Sequence, residues 1–232
     1  VRNLATRTAY LNYNIDDVLC DGSRHGQFLR TAARIEAAQP GCRIASSEPM
    51  LRRVRSVKTA EEIQRIAKAV EGSVALYELI RPKIEAGQTE REVQAMMRDM
   101  ASELGYGMHL GDYGGALVCI NRIGLAHRAP GDDVLEAGDL LILDHALEYE
   151  GYHSDLARTL YVGHPGETEP PREARRAFRS AFQAIDAAFA VLEPGVRGWQ
   201  VDAAARELHL ANGFPEISHA TGHQIGREVH DG

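Results

Sequence analysis

Two aspartates have a type and spacing that suggest chemistry. Asp144 follows the apolar run 140–143, and Asp155 lies eleven residues later. In an antiparallel hairpin with its loop at Tyr149 and Glu150, the two aspartates lie roughly opposite each other, with Cβ atoms about 5 Å apart. Two carboxylates this close either share a proton or hold a cation between them, unless both are solvated at a sheet edge. The hairpin alone leaves these alternatives open.

A second candidate for chemistry is the segment 219–231, which contains His219, His223 and His230 interleaved with glycines. Each glycine disfavours a helix by about 1 kcal/mol, so we expect an extended or looped segment. Glycines beside His223 let the backbone approach a bound group, which suits the wall of a cleft. One histidine is most often an ordinary surface or core residue, but three within one short segment indicate a site.

A metal site would combine these two features. Two carboxylates and one imidazole form a hard ligand set, which favours Mn²⁺ or a similar divalent ion over thiolate-bound zinc. Two such ions about 3.5–4 Å apart can activate a bridging water and polarise a carbonyl group. Three side chains are too few for two ions, so further ligands are expected.

The elements that position these residues begin after a short N-terminal portion. Residues 1–50 are short segments, too small to enclose a core, and we interpret them as the end of a preceding domain. The basic stretch 51–58 is interpreted as a linker. Residues 59–232 form the main domain, because Thr59 opens a capping box followed by helical periodicity.

Within residues 59–232 the pattern alternates between helices and strands. A second capping box at Thr89 opens a helix that ends near Gly105, and the apolar spacing of 170–192 predicts another helix. Residues 140–143 and 152–162 have the composition of paired strands. The predicted class is therefore α+β.

A weak internal repeat appears at an offset of 108 residues, where 84–87 aligns with 192–195 and Gly105 with Gly213. Each half then consists of helix, turn, helix and strand, and the two halves would face a shared cleft. Coincidence among common turn residues is the alternative.

Composition limits the partners. The chain has 232 residues and a net charge of −7, so neither nucleic acid nor an anionic membrane is expected as the main partner. Three widely spaced cysteines indicate neither a disulfide framework nor a thiolate zinc site, which favours a reducing, cytoplasmic location. No apolar run suggests a membrane span or signal peptide.

From Val54 to Gly232 the sequence resembles the pita-bread metallopeptidases, the group that contains aminopeptidase P, prolidase and methionine aminopeptidase. The resemblance rests on the spacing of the two aspartates and on the His-Gly-rich segment. It implies that Asp144 binds one metal ion, that Asp155 bridges two ions, and that His223 completes the second site. The implied cofactors are two divalent ions, most simply Mn²⁺, with Co²⁺ or Zn²⁺ as alternatives.

The resemblance also implies substrate-binding histidines. His127, seventeen residues before Asp144, matches a histidine that binds substrate near the scissile bond, and His219 and His230 match two that stabilise developing negative charge. Methionine aminopeptidases generally lack a counterpart of His219. The predicted function is therefore an Xaa-Pro aminopeptidase, expected as a homodimer, that acts on peptides with proline at the second position.

Three alternatives stay open at this stage. An Xaa-Pro dipeptidase (prolidase) or a small-molecule amidohydrolase could share the fold and the metals, because these do not determine the substrate. A non-catalytic binding module is the rival from another class, although the presence of all three predicted ligands counts against it.

The resemblance further implies two glutamate ligands that would follow Gly232, and the chain is expected to be truncated at both ends. We therefore predict that the polypeptide 1–232 binds Mn²⁺ weakly and has little activity alone, because an incomplete ligand set loses both affinity and geometry. Titration calorimetry with Mn²⁺ checks this, and two tight sites would contradict it.

Overall fold

The computed structural model describes residues 7–15, 22–109, 115–124 and 127–231. Within them the helices are α1 (His25–Ala38), α2 (Glu48–Ser56), α3 (Ala60–Ile80), α4 (Glu90–Glu103), α5 (Arg172–Ala190) and α6 (Gly198–Ala211). The strands are β1 (Thr8–Leu11), β2 (Arg43–Ser46), β3 (Gly107–Met108), β4 (Leu117–Ile120), β5 (Leu140–His145), β6 (Leu147–Tyr149), β7 (Tyr152–His153) and β8 (Leu156–Tyr161). No helix in the described part of the chain is long and apolar enough to cross a membrane.

The N-terminal elements are few. Strands β1 and β2 pair in parallel, and α1 between them contributes no fully buried residue. Helix α2 covers residues 48–56, so most of the stretch that the sequence suggested as a linker is helical.

The main core lies between two helices and two three-stranded sheets, ordered β3-β6-β7 and β4-β5-β8. Helices α3 and α4 supply Leu76, Ile80, Val93 and Met97, all completely or almost completely buried. They pack in one cluster with apolar residues of β4, β5 and β6, among them Val118, Ile120, Leu141, Leu143 and Leu147. Strand β5 is the central strand of its sheet, so this core fixes the strand that carries Asp144.

Both predicted capping boxes are present. The side chains of Thr59 and Thr89 accept hydrogen bonds from the backbone N–H groups of Glu62 and Glu92, and each glutamate bonds back to the capping residue. This satisfies N–H groups that have no partner within the helix. Gly105 follows α4 with φ 85°, as expected of a glycine that ends a helix.

The hairpin that carries the two aspartates has a different register from the predicted one. Asp144 on β5 pairs with Ala157 on β8, so the two aspartates are not directly opposite. Asp155 lies two residues before Ala157, just ahead of β8, and because the register is the same in the β5-β8 and β6-β7 pairs, the alternation of the hairpin puts both on one face of the ribbon. The aspartates are therefore diagonal neighbours.

Turn geometry explains the shift. Tyr149 pairs with Tyr152, so the turn residues are Glu150 and Gly151 rather than the predicted Tyr149 and Glu150. Both turn residues have positive φ, 50° and 79°, as a two-residue type I′ turn requires. Glycine adopts this conformation without strain, so Gly151 draws the turn one residue further along the chain.

The internal repeat is confirmed for its helices. Helix α4 (Glu90–Glu103) and α6 (Gly198–Ala211) differ by 198 − 90 = 108 residues at both ends. The glycines before and after them, Gly87 and Gly195, Gly105 and Gly213, all have positive φ. The strand predicted after the second helix pair is absent, since 214–231 contains no strand. A strand needs a continuous ladder of backbone hydrogen bonds with a neighbour, whereas one such bond joins this segment to β7, from the N–H of His153 to the carbonyl oxygen of Gly226.

Helix α5 confirms the helix predicted within 170–192 but buries only small residues. Ser180, Ala184 and Ala188 face α6, while its aromatic residues Phe178, Phe182 and Phe189 are more than half exposed. The second helix pair therefore has a much smaller core than the first.

Glu90 connects α4 to the sheet and to the chain beside His127. Its fully buried carboxylate accepts hydrogen bonds from the backbone N–H groups of Ile120 and Gly131, both 2.8 Å long, and from Arg128 at 2.7 Å. Burial opposes its ionisation, but these hydrogen bonds outweigh burial, and the pKa of Glu90 is lowered. A charged Glu90 thus holds three segments together.

Replacing Glu90 with alanine leaves the Arg128 guanidinium and two N–H groups without their acceptor. We expect the free energy of unfolding to fall by about 3–5 kcal/mol, as when one partner of a buried ion pair is removed. Glu92→Ala, which removes only a capping interaction in the same helical turn, should cost about 1 kcal/mol. Urea unfolding compares the two variants, and equal losses would contradict the assignment.

Candidate metal centre

Asp144 is a buried carboxylate on the central strand β5. Its residue is 8% exposed, and the charge of Asp155 acts on it. Burial first, and the negative charge of Asp155 second, raise the pKa of Asp144 to about 6. Such a pair is stable when a positive charge lies between the carboxylates.

Asp155 is joined to the histidine segment. His223 Nε2 lies 3.0 Å from Asp155 Oδ2, and the hydrogen bond to Asp155 is the main reason that the pKa of His223 is raised. The other ring nitrogen of His223 lies 3.0 Å from the carbonyl oxygen of Gln224. The ring is thus oriented with one nitrogen toward the carboxylate pair, as a metal-ligating histidine would be.

His127 and His230 complete the cluster. His127 Nε2 lies 3.7 Å from Asp144 Oδ2, and its backbone has φ 70°, a conformation uncommon for a residue with a side chain. The ring of His230 lies 3.9 Å from that of His223, centroid to centroid. Burial, followed by the charge of His223, lowers the pKa of His230, which favours its neutral form. Five of the six predicted site residues are thereby brought together.

His219 is the exception. Its Nδ1 lies 2.8 Å from the carbonyl oxygen of Ala220, its ring is exposed, and no described contact joins it to the five other residues. It lies at the opposite end of the histidine segment from His230.

The donor set suits a divalent ion, although the distances are not those of a filled site. Among the residues that the structure describes, no three His, Cys, Asp or Glu side chains are close enough together to hold a metal ion. The carboxylates of Asp144, which is buried, and Asp155, which is partly buried, nevertheless need a counter-charge, and His223 directs one ring nitrogen at Asp155. Two carboxylates and an imidazole are ligands that hard and borderline divalent ions accept.

Helix α6 anchors the first part of the histidine segment. Asp202 accepts hydrogen bonds from the backbone N–H and the hydroxyl of Thr221, both 2.8 Å long. Arg206, one turn later, bonds to Asp202 at 2.5 Å and donates to the carbonyl oxygens of Ile217 and His219. The hydrogen bond from Arg206 is the main reason that the pKa of Asp202 falls to about 2. The role of this pair is not evident from the sequence, where its only signal is an i, i+4 spacing on a helix.

Helix α3 is joined to the hairpin by a hydrogen bond between two buried serines. Ser73 and Ser154 are both fully buried, and their hydroxyl oxygens lie 2.7 Å apart. The Ser154 hydroxyl also accepts a hydrogen bond from the backbone N–H of Leu147 at 3.0 Å. Ser154 directly precedes Asp155, so these bonds fix the chain where it leaves the inner hairpin.

His145, beside Asp144, is fully buried, and burial lowers its pKa to about 4, so its ring is neutral at pH 7.

Solved structures with the same architecture define the class of protein. An X-Pro aminopeptidase from Thermotoga maritima matches with TM-score 0.76 and 29% identity, over 88% of this chain and 56% of that one. An Xaa-Pro dipeptidase from Bacillus anthracis matches with TM-score 0.76 and 26% identity, over 90% of this chain and 56% of that one. The chain therefore has the α+β pita-bread fold of these metallopeptidases, as the sequence predicted.

The sequence model of metallopeptidase family M24 matches residues 62–232. This chain belongs to that family, whose members use divalent metal ions. An Xaa-Pro dipeptidase of Pyrococcus furiosus is 29% identical over 185 residues, which are 79% of this chain and 51% of that protein. An uncharacterized peptidase of Bacillus subtilis is 27% identical over 81% of this chain and 51% of its own length. The chain spans about half the length of the curated relatives it matches.

The anchor on α6 has a consequence for acid stability. The pKa of Asp202 is about 2 in the folded protein and 3.8 ordinarily, so its ionised form stabilises the fold above pH 3.8. This contribution is lost as the pH falls from about 4 to about 2. We expect Asp202→Asn to lower stability at pH 7 and to make the unfolding midpoint less dependent on pH in that window. Thermal unfolding between pH 2 and pH 7 measures this, and an unchanged acid limb would contradict it.

Proposed function

We propose that the protein of which this chain is part is an Xaa-Pro aminopeptidase, a metal-dependent hydrolase that removes the first residue of a peptide with proline second. The observation that carries the proposal is the convergence of His223 with Asp144 and Asp155, with His127 and His230 at the edge of the same cluster. Similarity to an X-Pro aminopeptidase over 88% of this chain supports it.

Asp144, Asp155 and His223 would hold two divalent ions, which we propose to be Mn²⁺. Bound there, the ions would supply an activated water and an electrophile for the scissile carbonyl group. Asp155 would be the ligand common to both ions, as the family resemblance implies, and this role is supported by its contact with His223 and by its charge acting on Asp144. Proline at the second position gives a tertiary amide without an N–H group, which ordinary peptidases do not accommodate.

The two histidines at the edge of the cluster would act on the substrate. His127 is exposed beside Asp144, so its ring can contact the peptide and orient the scissile bond. A neutral His230 can donate one hydrogen bond to the negative charge that develops on the carbonyl oxygen. We keep His219 in the same role, which requires a change in the ring position described above.

We also propose the domain organisation, the location and the oligomeric state of the enzyme. Residues 1–50 would end an N-terminal domain, 51–58 would connect the domains, and 59–232 would form most of the catalytic domain. A cytoplasmic homodimer is the proposed form.

An Xaa-Pro dipeptidase is the second candidate. Relatives that carry this name include those of Pyrococcus furiosus and Pyrococcus horikoshii, each 29% identical to this chain. The same ligands would serve both reactions, so the two candidates differ only in the length of the accepted substrate.

Replacing Asp155 with asparagine in the full-length protein tests the metal centre. Asparagine has almost the same shape but lacks the charge that a bridging ligand supplies, so we expect Mn²⁺-dependent release of the first residue from an Xaa-Pro-Xaa tripeptide to fall at least about a hundredfold. The measurement is steady-state turnover with and without added metal, together with metal content.

Asp186→Asn, a change on the surface helix α5, serves as the matched control and should keep full turnover. Unchanged turnover of the Asp155 variant would refute the assignment. Comparing the tripeptide with the Xaa-Pro dipeptide then separates the two candidates, because an aminopeptidase prefers the tripeptide and a dipeptidase accepts only the dipeptide.

A further inference from the structure

The carboxylate of Asp231 is buried between two cations that lie far away in the sequence. Its side chain is 5% exposed, Arg55 Nε donates to Oδ1 at 2.5 Å, and Lys58 Nζ lies 3.1 Å from Oδ2. Burial raises the pKa of Asp231, but the hydrogen bonds from Arg55 and Lys58 outweigh burial and lower it. The charged form is therefore the one that fits between the two cations.

The backbone is shaped around this carboxylate. Asp231 Oδ2 also accepts a hydrogen bond from the backbone N–H of Arg227 at 3.2 Å. A Cβ atom at Gly226 would lie 1.9 Å from Asp231 Oδ2 and 2.8 Å from the Cε atom of Lys58. Only glycine leaves room for the carboxylate and the lysine at this position, so the histidine segment is folded closely around the ion pair.

The same turn of the segment docks on the hairpin that carries Asp155. The backbone N–H of His153 donates to the carbonyl oxygen of Gly226 at 2.8 Å, and the Arg227 guanidinium lies 4.9 Å from the centre of the Tyr152 ring. The Asp231 backbone N–H donates to the carbonyl oxygen of Gln224 at 3.0 Å. The turn 224–231 therefore begins directly after His223 and contains His230 near its end, so its conformation sets the distance between the two histidines.

The two cations have a fixed position of their own. Arg55 belongs to α2, and Lys58 directly precedes Thr59, the residue that caps α3. Lys58 Nζ also donates to the carbonyl oxygens of Arg55 and Asp231. Both cations thus lie at the junction between α2 and α3, where the hydrogen bond from Lys58 to the carbonyl oxygen of Arg55 keeps them beside the histidine segment.

We infer that Arg55 and Lys58 are positioning residues for the active site, which act through Asp231 to hold His230 and His223 against Asp155. The role in catalysis rests on the proposed function, whereas the role in ordering the turn does not. A buried ion pair often contributes little net stability compared with apolar residues, but it imposes one geometry. Because Arg55 and Lys58 both contact the carboxylate of Asp231, they fix the position of the backbone at the adjacent His230.

The test uses Lys58→Met and Arg55→Met in the full-length protein, each of which removes one cation and keeps an apolar stem. Amide hydrogen exchange, followed by mass spectrometry, should be about tenfold faster in peptides that cover 224–231. In Xaa-Pro-Xaa hydrolysis, kcat should fall about tenfold or more, with a smaller change in KM, because displacement of His230 weakens contacts made in the transition state.

A double-mutant cycle separates positioning from a general loss of stability. In a His230→Ala background, Lys58→Met should lower kcat less than twofold further, because the group it positions is already gone. The matched control is Arg122→Met, which removes the cation from Asp139, an aspartate with a 6% exposed side chain bonded to Arg122 at 2.9 Å. Its effect should be additive with His230→Ala, and exchange in 224–231 should stay unchanged.

The exchange and kinetic measurements test the ordering of the turn and its link to catalysis separately. Unchanged exchange in 224–231 in the Lys58 and Arg55 variants overturns the inference. Faster exchange with unchanged kcat, or with effects additive to His230→Ala, overturns the link to catalysis. If the wild-type protein has no Xaa-Pro activity, the proposed function fails, but hydrogen exchange still tests how the turn is held.

Discussion

The close approach of two carboxylates, the buried Asp144 and the partly buried Asp155, is the constraint that the structure around the site must satisfy. Asp144 lies on β5, the central strand of a sheet that packs on the main core, and the residue is only 8% exposed. Burial first, and the charge of Asp155 second, raise the pKa of Asp144 to about 6. A backbone that holds two such groups together must be rigid. The paired register of β5 and β8 and the hydrogen bonds of Ser73 and Ser154 provide that rigidity.

The histidine segment, which faces the two carboxylates, is held in a different way. The histidine segment has no strand or helix, so its backbone groups are not ordered by a regular ladder. Charged side chains fix the segment instead. Asp202 and Arg206 bind it near Thr221. Arg55 and Lys58 bind it at Asp231. Between these anchors, His223 reaches Asp155. A rigid carboxylate pair thus meets a loop that is fixed at both ends.

Local signals in the sequence predicted much of this fold. Capping residues Thr59 and Thr89 and the glycine after α4 act through neighbours three or four residues away, so their pattern is visible in the sequence. The 108-residue repeat was visible for the same reason, since it is a repetition of helix boundaries. The family resemblance, rather than spacing alone, gave the roles of the site residues.

Two kinds of feature were not predictable from local pattern. The register of the hairpin depends on which two residues form the turn, and a difference of one residue at Gly151 moved Ala157 opposite Asp144. The ion pair that holds the end of the histidine segment leaves no spacing signal, because Arg55 and Asp231 are 176 residues apart. The segment 219–231 and the basic stretch 51–58 are both recognisable in the sequence, but only the folded chain relates them.

The length of that connection has a consequence for how the site assembles. A contact between residues 176 apart closes a long loop, whose entropy must be overcome before the contact stabilises anything. The core of α3, α4 and the sheets consists of elements closer in sequence, so it can form without the Asp231 contact. We therefore expect the carboxylate pair to be in place before the histidine segment docks on it. By the same reasoning, the segment is the part of the site whose order is lost first when its anchors are weakened.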